Sequence, residues 1–60
     1  MDIIQIAAAV DRIATEHGAT DSESAAICGA VVRVALTGAV TLADCEELAR
    51  GLAMSICAAG

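Results

Sequence analysis

The sequence contains no phenylalanine, tryptophan, tyrosine or proline. It also lacks lysine. Its three basic residues are Arg12, Arg33 and Arg50, set against eight acidic ones, for a net charge of −5. Each absence excludes something. Aromatic rings normally supply much of a core's buried area, so here Ile, Leu, Val, Ala and Cys must fill that role. Rings are also the usual stacking platform for single-stranded nucleic acid. Binding to a phosphate backbone needs clustered Lys and Arg, and one arginine per apparent helix does not provide that. Direct nucleic-acid binding is therefore not expected.

Catalytic groups are scarce as well. His17 is the single histidine. The three cysteines, Cys28, Cys45 and Cys57, form no CxxC pattern, and Cys45 and Cys57 lie about 18 Å apart along one helix. No metal site or cofactor is expected. Ser22, Ser24 and Ser55 fall at or within helices, without the glycine elbow that activates a serine. The five glycines are scattered, so there is no phosphate-cradling loop. Glu46 and Glu47 are adjacent and point different ways. Nothing converges as an enzyme would require. His17 reads as a helix-end group, charged or hydrogen-bonded to a carbonyl.

An odd number of cysteines cannot pair fully within one chain. Asp2 stands where a signal peptide would carry basic residues. Free thiols in a reducing, cytoplasmic setting are the expectation. The longest apolar run, Ala25 to Val40, is shorter than the roughly 20 residues of a membrane span and is interrupted by Arg33.

What remains is 60 residues, 58% of them apolar, rich in alanine and so favourable to helix. A chain this short buries only about 60% of its unfolded surface and is marginal alone. Three helices are expected, at about residues 2–17, 21–37 and 42–58, forming a single domain. In the first, Asp2 is a plausible N-cap, and Ile3, Ile6, Val10 and Ile13 make one stripe, widened by Ala7 and Ala14. Arg12 and Glu16 are spaced to pair. Gly18 marks the stop. The second opens on Thr20-Asp21-Ser22-Glu23, the pattern of a capping box. Val34, Ile27, Val31, Ala35, Cys28, Val32, Ala25 and Leu36 then cover an arc of roughly 200°. That is wide for one packing partner, so this helix is expected in the middle of the bundle. Ser22, Ala26, Gly29, Ala30, Arg33 and Thr37 fill the remaining wedge. The third starts at Thr41, with Asp44 in its first turn. Leu42, Cys45, Leu48, Ala49, Leu52, Ala53 and Ile56 form its stripe, and Glu46 and Arg50 are spaced as a surface pair.

Short connectors predict antiparallel neighbours. The fold class is all-α, a three-helix unit completed by homo-oligomerisation, as a homodimer or larger. Ile27, Gly29, Ala30, Val31 and Val34 are the expected oligomer interface. By size, acidity and lack of catalytic groups, the chain resembles the small inhibitors of phages and mobile elements, anti-CRISPR proteins among them. That resemblance implies a non-enzymatic inhibitor or adaptor acting by occlusion. Its partner would be a protein with a basic surface, met by Asp11, Glu16, Asp44, Glu46 and Glu47, with Ile4 and Met54 as apolar anchors. A second reading is an oligomeric sponge holding a nucleotide-like anion through Arg12, Arg33 or Arg50. A third is a small holin-type membrane protein.

Overall fold

The computed structural model describes residues 2–38 and 40–58. These residues form three α-helices, α1 (Ile3–Glu16), α2 (Asp21–Thr37) and α3 (Leu42–Ala58), with no strand among them. Local chemistry sets each boundary. The Asp2 carboxylate accepts from the Ile4 backbone N–H at 3.0 Å and starts α1. At the start of α2, the Thr20 hydroxyl accepts from the Glu23 N–H at 3.2 Å, while the Glu23 carboxylate accepts from the Thr20 N–H at 2.8 Å. This is the expected reciprocal box. Thr41 and Asp44 make the same exchange at 3.2 and 3.1 Å, so Asp44 closes a second box in addition to favouring the helix dipole.

The end of α1 depends on one glycine. Gly18 has φ +78°. Its N–H donates to the Thr15 carbonyl and that of Ala19 to the Ala14 carbonyl, both at 3.0 Å. This is the Schellman arrangement, which needs a left-handed residue just past the cap. A Cβ added at Gly18 would meet no atom within 4 Å. The cost of Gly18→Ala is therefore confined to the backbone and is expected to be about 1–2 kcal/mol. A denaturant midpoint equal to that of the parent chain would show that the turn does not need the left-handed conformation.

The helices run up, down and up. Asp11 on α1 meets Ser24 on α2, and Ala7 shares a groove with Cys28, so α1 and α2 are antiparallel. Arg12 on α1 reaches Glu46 on α3, while His17 lies near Ala53 and Cys57, so α1 and α3 ascend together. The bundle measures 32 × 17 × 15 Å.

Ile6, Val10, Ile13 and Ala14 from α1, Ile27 and Val31 from α2, and Cys45, Ala49 and Ala53 from α3 form the buried core. The first helix, not the second, is the one shared most evenly by its neighbours, and the α2–α3 seam is the smallest. This corrects the expectation that α2 would be sandwiched. Ile6, Val10 and Ile13 of the narrow α1 stripe are fully buried, so α1 meets both partners with bulky side chains, whereas Ile3, expected in the same stripe, is exposed at the helix start. The wide arc on α2 is only partly used. Ile27 and Val31 turn inward with Ser24, whereas Ala25, Val34 and Leu36 are exposed. Ile56 on α3 is also exposed, outside the core where its spacing placed it.

One chain therefore covers its own centre. Ile27 and Val31, assigned to an oligomer interface, lie in the intramolecular core and are inaccessible to a second copy. Gly29, Ala30 and Val34 do face outward. No helix among the described residues is long and apolar enough to cross a membrane.

Candidate docking groove between the first two helices

Antiparallel packing of α1 on α2 leaves an open groove of ≈ 390 Å³ lined by Ala7, Asp11, Asp21, Ser24, Ala25 and Cys28. Small side chains explain the space. Ala7 and Ala25 do not fill the seam that larger residues would close. Asp11 and Asp21 contribute two carboxylates to this groove, one from each helix.

Ser24 positions the first of these carboxylates. It is buried, at 8% exposure, and its hydroxyl donates to Asp11 Oδ1 at 2.9 Å. A buried hydroxyl needs a partner, and here the partner is an acid at the groove's edge. The bond limits the rotamers open to Asp11 and leaves Oδ2 for another donor. Among the described residues, no arginine or histidine pairs with Asp11 or Asp21; the ion pairs there are Arg12–Glu16 at 3.6 Å and Arg12–Glu46 at 3.4 Å. Ser24 was missed by reading apolar spacing alone. It lies three residues before Ile27 and seven before Val31, so it sits on the same helical line as those two core residues. Extending that line backwards would have found it.

The remaining expected site residues are dispersed. Ile4, 79% exposed, lies seven residues before Asp11 and so on the groove side of α1, nearer the helix start. Glu16 and Glu46 both engage Arg12 on the α1–α3 side. The surface pair expected between Glu46 and Arg50 is replaced by this longer-range one, because α3 turns Glu46 towards α1. Asp44, Glu47 and Met54 share the outward face of α3. The acidic residues expected to meet a basic partner are thus divided among three places. The arginines are not brought together within one chain: Arg12 is between two carboxylates, Arg33 is on the outer face of α2, and Arg50 is on α3.

A second, smaller groove of ≈ 270 Å³ lies at the other end, lined by His17, Ala53, Met54 and Cys57. The His17 ring donates from Nδ1 to the Ile13 carbonyl at 2.9 Å, which matches the helix-end role read from the sequence. Cys45 is buried in the core, and Cys28 and Cys57 are half-buried in the first and second grooves.

No protein-family model, curated protein or solved structure matches this chain.

Proposed function

We propose that this chain is a non-enzymatic protein-binding module, an inhibitor or adaptor that acts by covering a basic surface of its partner. The observation that carries the reading is the α1–α2 groove. Asp11 and Asp21 line it together with Ala7, Ala25 and Cys28, and Asp11 is held by the hydroxyl of the buried Ser24. An Arg or Lys of the partner fits that arrangement, since charge-assisted hydrogen bonds to a pre-positioned carboxylate are among the stronger polar contacts. Ile4, further along the same side, supplies an apolar contact beside the charged one. The net charge of −5 adds long-range attraction for a basic partner. The free thiols are compatible with a reducing, cytoplasmic setting.

The test is binding of the full chain to an arginine-rich peptide, followed by calorimetry across a salt series. Binding is expected to weaken with salt, because exposed charges are screened. Asp11→Asn with Asp21→Asn is expected to weaken it by about tenfold or more, as lost charge pairs do at partly covered sites. Glu47→Gln, on α3 and away from the groove, should leave the affinity within about twofold on the same reasoning. Equal affinity for the parent chain and the double variant would sink the groove as the docking site.

A further inference from the structure

The second groove gathers donors that are far apart in the chain. It lies where α1 stops and α3 finishes, and His17, Met54 and Cys57 line it together with Ala53. Ala53 is fully buried and forms the floor. Cys57 follows Met54 by three residues and Ala53 by four, so on the helix it stands between the two, roughly 60° from Met54. Its thiol is free and half-buried. Met54 is at the rim, largely exposed. One strip of α3 thus carries two soft sulfur donors, a thiol and a thioether.

The third donor comes from α1. His17 Nδ1 lies 2.9 Å from the Ile13 carbonyl oxygen. A carbonyl only accepts, so this bond puts a proton on Nδ1 and leaves Nε2 as the nitrogen that can coordinate. A hydrogen bond from the other ring nitrogen to a backbone carbonyl is a common way of orienting a metal-binding histidine. The donor set selects the ion. Among the described residues, no three histidines, cysteines or carboxylates come together, so the four ligands of a structural zinc site are missing. Calcium and magnesium need oxygen ligands. Thiolate, thioether and imidazole together suit copper(I), an ion that is satisfied by two or three donors.

We infer that this groove binds one copper(I) ion through Cys57 Sγ, Met54 Sδ and His17 Nε2. The Cys57 thiol gives its proton to solvent as the copper–sulfur bond forms, and the metal keeps its oxidation state. Met54 has three rotatable bonds with which to bring its thioether over the groove. The ion ties the end of α1 to the end of α3. Cysteine spacing did not point to this site, because its donors come from two helices and one of them is a thioether. The site uses neither Asp11 nor Asp21, so it can fail without affecting the reading of the first groove.

Anaerobic titration of the full chain with copper(I), against a coloured chelator that competes for the ion, tests this. Native mass spectrometry counts the ions bound, and one per chain is expected. The melting temperature should rise with the metal, since an ion held only by the folded state stabilises it. Cys57→Ser, Met54→Leu and His17→Asn should each weaken binding by about tenfold or more, at least what loss of an orienting partner costs at a metal site. Asparagine keeps a donor for the Ile13 carbonyl while removing Nε2. Met54→Leu changes an exposed side chain and leaves the helix intact. Cys28→Ser, in the other groove, should leave the affinity within about twofold. A parent chain that leaves the copper with the chelator overturns the proposal. So does binding that falls with Cys57→Ser alone, because a thiol without the other two donors would then account for it. An ion bridging two chains would overturn it as well.

Discussion

Ile13→Ala is expected to take the chain to the edge of unfolding at room temperature. Ile13 is fully buried and belongs to the cluster in which α1 meets both other helices. Removing most of a buried isoleucine costs about 2–5 kcal/mol, part lost transfer energy and part cavity. A domain of 60 residues has about 3–9 kcal/mol to lose, at the usual stability per residue. No aromatic side chain is present to collapse into the hole. The small residues that share its core, Ala49 and Ala53 among them, have no spare rotamers with which to fill it. Urea denaturation followed by helical circular dichroism should show the midpoint fall by about 2 M or more, at a slope of about 1 kcal/mol per molar. Ile13→Val, which removes a single methylene, should cost only about 0.5–1.5 kcal/mol. A shift for the alanine variant no larger than for the valine one would contradict the central place given to this side chain.

Ala49→Leu is expected to destabilise the fold although it makes the chain more hydrophobic. Ala49 is fully buried, between Cys45 and Ala53 on the inner row of α3. That row is built only of small groups, so the backbone of α3 can approach the bulky stripe of α1. A leucine would have to push α3 outward or adopt a strained rotamer, at a typical cost of about 1–3 kcal/mol. Moving α3 would also separate Arg12 from Glu46, although an exposed pair of this kind contributes at most about 1 kcal/mol. The same change at Ala43, which is exposed on α3, should be neutral to within about 0.5 kcal/mol. If Ala43→Leu and Ala49→Leu shifted the midpoint alike, the close α1–α3 seam would be wrong.

The two substitutions differ in how legible they were beforehand. Ile13 could be placed in the core from spacing, because Ile6, Val10 and Ile13 recur on one side of any regular helix. Ala49 could be placed on the inner face of α3 for the same reason. That its row would be the tight seam could not be inferred, since closeness depends on what the facing helix presents. The groove shows the same division. Asp11 was a candidate contact from charge alone, and Asp21 was read only as part of a helix start. Their juxtaposition required α1 and α2 to pack antiparallel with Ser24 turned inward. Glu46 shows the converse, an acid whose neighbour in sequence, Arg50, was displaced as a partner by Arg12, 34 positions away.

The sequence by itself determined where the helices begin and end. Asp2, Thr20, Thr41 and Gly18 act through bonds or torsions within a few residues, and such effects do not depend on the rest of the fold. It also determined the all-α class and, apart from Ile3 and Ile56 near the helix ends, the inward faces of α1 and α3, because their apolar residues follow the helical period. Only the tertiary structure decided that α1 is the shared helix, which part of the wide arc on α2 is buried, and which charges become neighbours. Those outcomes depend on how each helix is rotated about its axis relative to the other two. That rotation is chosen by the packing of all three at once, a balance that no local pattern encodes.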